Sequence, residues 1–335
     1  MIFLVAKVII VFVCASLHSC NSEGRTNLPE IVSVPALITF GDSFVDQGNN
    51  NYVAAMGKAN YPPYGKDFVG GKATGRFTNG KALSDFFAEG LGVKEYLPAY
   101  LDPSIQDNDL LSGVSFASGG SGYDSVTPKL SLAIPLWDQL DLFKQYIGRL
   151  EMNVGQEEAT KIITNSVFLV VASTNDLMLA YPLIRRSEYD VPTYNSILLN
   201  LTLSFVQELY ELGARKIGVF GAPPVGCFPV ERTLVGGFQR MCVDDRNEAA
   251  QLVAFVDFYN PLISAIDNPQ QYGLEVIDRG CCGTGLLEVV YLCNKFSLTC
   301  KDDSKFLFWD SIHLSEIGCS IFANQTLPGL INSLF

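Results

Sequence analysis

Two histidines occur in the chain, His18 and His313, so imidazole chemistry has few places to reside. His313 closes the run Phe308-Trp309-Asp310-Ser311-Ile312-His313. An Asp and a His three apart meet across one turn, so the carboxylate accepts from one ring nitrogen while the other faces a nucleophile. A nucleophile stands at the opposite end, in Phe40-Gly41-Asp42-Ser43-Phe44-Val45-Asp46-Gln47-Gly48-Asn49-Asn50. Gly41 allows a tight turn, and the residues after it can open a helix, which leaves Ser43 exposed beside free backbone N–H groups. A plain helix N-cap is the competing use of that serine. The GxSxG elbow is absent, because no serine has glycine both two before and two after it. Serine, imidazole and carboxylate together would perform nucleophilic acyl transfer.

Two further segments carry groups that suit a developing negative charge. Gly113-Val114-Ser115-Phe116-Ala117-Ser118-Gly119-Gly120-Ser121-Gly122 reads as a strand running into a glycine-rich turn with N–H groups to offer. It lacks the GKS or GKT ending of a phosphate loop. Ser173-Thr174-Asn175-Asp176 follows an apolar run, and the Asn175 amide is a possible donor. Taken alone, each segment reads first as a plain turn.

Short apolar runs must position these groups. They cover Ala36 to Phe40, Val167 to Ala172, Lys216 to Phe220 and Leu274 to Ile277. Amphipathic helical patterns lie between them. The clearest puts Ile197, Leu201, Phe205, Leu209 and Leu212 on one face, with Asn200, Ser204, Gln207 and Glu211 opposite. Apolar strands alternating with helices imply a parallel sheet covered on both faces, with functional groups beyond the strand C-termini. The motifs run from end to end, which argues for one domain.

Composition narrows the partners. The 335 residues carry 23 basic and 35 acidic side chains, a net charge of −12. No basic face is available for nucleic acid or for an anionic membrane surface, so a neutral partner fits better. Hydrophobic residues at 48% exclude a disordered chain or a coiled coil.

Lys7 and the apolar stretch Val8 to Leu17 read as a signal peptide over residues 1–22, cut near Ser22 or Gly24, with a single domain over 23–335. No later run reaches the ~18 apolar residues of a membrane span, so secretion without stable membrane insertion is expected. His18 leaves with the leader. A His-rich metal site and the HExxH motif are excluded, and neither metal nor cofactor is expected. Seven of the nine cysteines remain after Cys14 and Cys20 are removed. In an oxidising compartment they are disulfide candidates. Cys227 is expected to pair with Cys242, and Cys281 and Cys282 with Cys293 and Cys300 in an order left open. Cys319 would be a buried spare thiol. Asn200 and Asn324 begin N-x-Thr sequons and are the candidate glycosylation sites.

FGDSFVDQGNN, GVSFASGGSG, the TND triplet and WDSIH, in that order, resemble the plant GDSL (SGNH-type) esterase/lipase family. The resemblance covers about Leu37 to Phe322. NYPPYG at Asn60 to Gly65, GRFTNG at Gly75 to Gly80 and CCGTG at Cys281 to Gly285 are similar to the extracellular-lipase branch. The resemblance implies a flavodoxin-like three-layer α/β/α sandwich with a central parallel sheet. It implies Ser43 as nucleophile, His313 as general base and acid, and Asp310 as its orienting partner. The oxyanion hole would be the N–H of Ser43, the N–H of Gly120 (with Gly119 as the alternative) and the amide of Asn175. Asp42 and Asp46 would be structural. The expected protein is a monomeric extracellular esterase or lipase of the apoplast or cell wall. Its substrate would be a small-molecule, lipid or polysaccharide ester. An acyltransferase on the same triad, or a catalytically weak ester- or glycan-binding protein, is the alternative. Three positions depart from the family pattern: Ser115 replaces an Asn, Ser173 a Gly and Leu314 a Pro.

Overall fold

The structure, a computed structural model, describes residues 34–251 and 256–335. The expected signal peptide lies outside the described residues.

Leu37–Gly41 forms β1, Val167–Val171 forms β2 and Lys216–Phe220 forms β3. All pair in parallel in the order β1-β2-β3, with Gly41 opposite Val171 and Val171 opposite Phe220. Every residue of β1 and β2 is buried, which is why both read as unbroken apolar runs. The segment after Gly113 lies along the free edge of β1. Thr39 N–H donates to Val114 O at 3.1 Å, and Phe116 N–H donates to Thr39 O at 2.8 Å. The strand expected there is reduced to bridges at Ser115, which touches both Thr39 and Ala99. Beyond β3, Val256 continues the sheet by a parallel bridge to Phe220. Val276–Gly280 (β4) and Phe306–Phe308 (β5) form a separate parallel pair. β4 starts two residues later than the apolar run at Leu274 suggests.

Helices cover both faces and complete the three-layer α/β/α fold. On one side Phe40 packs edge-on against Phe143 of Leu136–Val154 and Phe205 of Val191–Glu211. On the other, Phe220 meets Phe87 of Leu83–Gly90 and Phe322 of Glu316–Leu334. The Val191–Glu211 helix starts where Asp190 accepts from Thr193 N–H at 2.9 Å, with Pro192 in its first turn. Its buried stripe is Tyr194, Leu198, Thr202, Phe205 and Leu209, so the helix is rotated from the face expected from apolar spacing. The polar anchors account for the rotation: Tyr194 donates to Asp124, and the Asn195 amide donates to Ala249 O. Asn200 and Asn324 are both exposed on helices.

Three disulfides join Cys227 to Cys242, Cys281 to Cys300 and Cys282 to Cys293, while Cys319 is a buried free thiol. Among the described residues no acidic, His or Cys group is arranged to hold a metal ion, and no helix is long and apolar enough to cross a membrane.

Candidate active site

The chain leaves β1 through Gly41, whose φ is 135° and where a Cβ would lie 1.8 Å from Val171 O. Only glycine fits a backbone passing that close. Asp42 N–H then donates to Val171 O at 2.9 Å, and Asp42 Oδ1 accepts Phe44 N–H at 3.1 Å. Ser43 sits in this turn, which does not continue as a helix. The turn holds Ser43 at the C-terminal end of the first strand.

The second half of the site follows β5. Asp310 Oδ1 accepts the backbone N–H of Ile312 at 2.8 Å and of His313 at 2.7 Å, an Asx turn that fixes the carboxylate before any imidazole contact is made. Asp310 Oδ2 lies 2.7 Å from His313 Nδ1, and His313 Nε2 lies 2.8 Å from Ser43 Oγ. With Nδ1–H donated to the carboxylate, Nε2 is left to accept the serine proton. Asp310 is fully buried, and Ser43 and His313 are nearly so. The Phe77 ring lies against the imidazole with centroids 4.9 Å apart, and Phe44 approaches to 6.0 Å.

The glycine-rich segment is stitched to the chain that follows Ser43 by side chains between Asp46 and Asn50. Asn49 Nδ2 donates to Ser115 O and Ala117 O, each at 2.8 Å, and Asn50 Nδ2 donates to Gly119 O at 2.9 Å. Asp46 Oδ2 accepts Gly119 N–H at 2.9 Å, so that donor is occupied. The N–H groups of Ser43 and Gly120 make no protein hydrogen bond among the described residues. Asn175 Nδ2 donates to Ser121 O at 2.9 Å, which leaves the second amide proton for another acceptor. Asp176 holds the far end of the same segment, accepting from Tyr123 N–H, Asp124 N–H and the Thr127 hydroxyl.

Burial shapes the carboxyls near Ser43. It pushes Asp42 up to about 8, with the Phe44 N–H pulling the other way and Asp176 adding to the rise. It pushes Asp46 and Asp176 up to about 6 against the N–H and O–H groups that each accepts. Burial thus favours the neutral form of Asp42, and its Oδ1 faces Phe44 N–H while the imidazole Nδ1 is turned to Asp310.

Of the three departures, Ser115 bonds Val45 O at 2.7 Å and braces the nucleophile turn. Leu314 is buried in a bridge to Phe308. Ser173 has φ 83° and a buried hydroxyl that lacks a partner. A cavity of about 500 Å³ lies elsewhere, lined by Leu132, Ala133, Ile134 and Asp138 among others, and neither Ser43 nor His313 borders it.

Two residues beside the triad have no signature in local spacing. Phe77 comes from GRFTNG and Tyr64 from NYPPYG, and Tyr64 donates to Asp310 Oδ2 at 2.7 Å across 246 residues. The motifs marked the segments, but only the fold reveals what each side chain touches.

At its strand ends the parallel α/β/α fold carries a serine, an imidazole and a carboxylate joined in one hydrogen-bonded line, an arrangement able to perform acyl transfer. The chain belongs to the GDSL-like lipase/acylhydrolase family, whose model matches residues 37–326. Membership makes it a carboxylic ester hydrolase by class. GDSL esterase/lipase At5g42170 of Arabidopsis thaliana is 46% identical, covering 94% of this chain and 90% of that protein. GDSL esterase/lipase At1g59030 is 44% identical over 90% and 93%, and GDSL esterase/lipase EXL3 is 44% identical over 91% and 90%, both also of Arabidopsis thaliana.

Proposed function

We propose that the protein is a secreted serine esterase that hydrolyses neutral carboxylic esters by two-step acyl transfer. The observation that carries this reading is the continuous line Ser43 Oγ, His313 Nε2, His313 Nδ1 and Asp310 Oδ2, with links of 2.8 and 2.7 Å. Ser43 Oγ attacks the ester carbonyl carbon as its proton passes to His313 Nε2. Asp310 steadies the imidazolium that forms. The carbonyl oxygen, now negative, takes the N–H groups of Ser43 and Gly120 and the spare amide proton of Asn175. Collapse expels the alcohol, which receives the proton from His313. Water then gives its proton to His313 and attacks the acyl-serine, and the acid leaves as Ser43 is restored.

Three disulfides support an oxidising destination. The net charge of −12 favours an uncharged substrate over an anionic one. The test is hydrolysis of p-nitrophenyl esters of graded chain length by wild type and Ser43→Ala. Wild type is expected to turn over and the folded variant to be inert. Equal rates in the two proteins, or an inert wild type, would remove the reading.

A further inference from the structure

We propose that Tyr64 is a positioning residue for the Asp310–His313 pair, its hydroxyl proton steered onto Asp310 by the backbone N–H of Val290. The inference rests on the Ser43–His313–Asp310 reading above.

Tyr64 is fully buried, and its hydroxyl meets two groups. Asp310 Oδ2 lies at 2.7 Å and Val290 N at 2.9 Å. A backbone N–H only donates, so the phenol oxygen must accept from Val290, and its single proton is left for the carboxylate. Asp310 thereby accepts four bonds: His313 Nδ1 and Tyr64 on Oδ2, and the N–H groups of Ile312 and His313 on Oδ1. The oxygen that orients the imidazole is the one Tyr64 holds.

The backbone of Val290 is bent to make this contact. Its φ is 50°, a left-handed conformation that a β-branched residue rarely adopts. The loop bearing it is tied down by the Cys281–Cys300 and Cys282–Cys293 bridges and by Ser311 N–H donating to Glu288 O at 2.8 Å. Strain at one residue is sustained because its surroundings leave it no alternative. The Tyr64 ring packs edge-on against Tyr61 and Phe77, and Phe77 lies on His313.

The hydroxyl and thiol groups packed around the pair stay protonated through the neutral range. Burial pushes Tyr61 up to about 12 and lifts Tyr64 and the Cys319 thiol well above their usual ranges, so none of them ionises there. Burial also lifts Glu288, but hydrogen bonds from Thr284 and nearby backbone outweigh it and hold the carboxyl at about 2. Tyr291 beside Tyr61, Asp42 beside Ser43, Glu316 and Asp85 near Cys319, Glu231 on the helix against Ser311, and Lys66 over Trp309, paired with Asp303, also surround the site. Burial raises Asp46 and Asp176 to about 6, and neither is among the groups that Tyr64 bonds.

Removing the phenol proton leaves more negative charge on Oδ2, which then holds an imidazolium more strongly. The test uses the full-length mature protein with a p-nitrophenyl ester, kcat and KM being followed against pH. Tyr64→Phe keeps the ring and is expected to lower kcat on the order of 10- to 100-fold with little change in KM. Its acid limb should move to higher pH. Site-specific 3-fluorotyrosine at position 64 keeps the bond but supplies a more acidic phenol, so its acid limb should move to lower pH. This second arm decides the matter even where Tyr64→Phe folds poorly. Unmoved acid limbs in both proteins, or a loss in Tyr64→Phe that is uniform across pH, would overturn the assignment. An inert wild type that also fails to label at Ser43 would instead overturn the esterase reading on which it rests.

Discussion

Gly119 and Gly120 are consecutive in one turn, yet Gly119 gives its N–H to Asp46 Oδ2 at 2.9 Å while that of Gly120 has no acceptor among the described residues. Gly120 also has φ 96°, and a Cβ there would lie 2.5 Å from Ser131 Oγ. The difference favours Gly120 over Gly119 as the proposed oxyanion donor. A carboxylate clamp on one N–H leaves its neighbour available.

Asn175 is the side-chain member of the same proposed hole. Asn175→Ala is expected to lower kcat by about 10²–10³ with KM little changed, because the bond matters most in the transition state. Steady-state kinetics on a p-nitrophenyl ester check it. A kcat within about twofold of wild type would remove Asn175 from the hole.

Stability should fall as pH rises, through the buried carboxyls. Burial raises Asp46 and Asp176 to about 6 and Asp42 to about 8, each from 3.8. Between 3.8 and these values the folded protein holds more protons than the unfolded chain. The stabilisation is complete below the unfolded value and is lost as pH climbs through the folded one. Asp42→Asn removes the last part of that loss. Thermal unfolding from pH 4 to 9 should show a shallower decline for the variant between about 6 and 8. Parallel curves in that interval would contradict the assignment.

Much of this site was legible in sequence because its parts are local. Asp310 and His313 share one turn, and Gly41 must be glycine wherever a strand end presses on Val171. The pairing order of Cys281 and Cys282 was not legible, since adjacent cysteines offer two equivalent partners until the loop path is known. Tyr64 was hidden for a related reason: its contact spans 246 residues, so no local spacing points to it. The rotation of the Val191–Glu211 helix escaped apolar counting because Tyr194 and Asn195 are buried through polar partners.

Ser173 holds φ 83° with a buried, unpartnered hydroxyl. A side chain in that region costs roughly 1–3 kcal/mol, offset by the ~0.5–1 kcal/mol that glycine loses to unfolded-chain entropy. Ser173→Gly is therefore expected to stabilise the fold by about 1 kcal/mol, a rise in Tm of roughly 2 °C. Calorimetry checks it, and a lower Tm would show that the hydroxyl has a partner in solution.

Reduction should cut activity before the sheet melts. Cys281, Cys282 and Cys293 pack with Tyr64, Phe77 and Trp309 in a small core beside the triad, apart from the main one. Trp309 is fully buried, whereas Trp137 is partly exposed. Mild reductant is expected to shift Trp309 emission to the red and abolish hydrolysis while far-UV circular dichroism holds. Full activity with all the bridges open would contradict this coupling. The oxidised mature protein, denatured without reductant, should show a single reactive thiol, Cys319.

Ser43 is the proposed activated nucleophile, and the proposed ester hydrolysis depends on that activation. Its most direct measurement is treatment with a fluorophosphonate followed by peptide mapping, since the reagent bonds only to a serine that a base has activated. One adduct per chain, located on Ser43 and absent from His313→Ala, is the predicted result. A wild-type protein that stays unlabelled, or an adduct on another serine, would contradict the account.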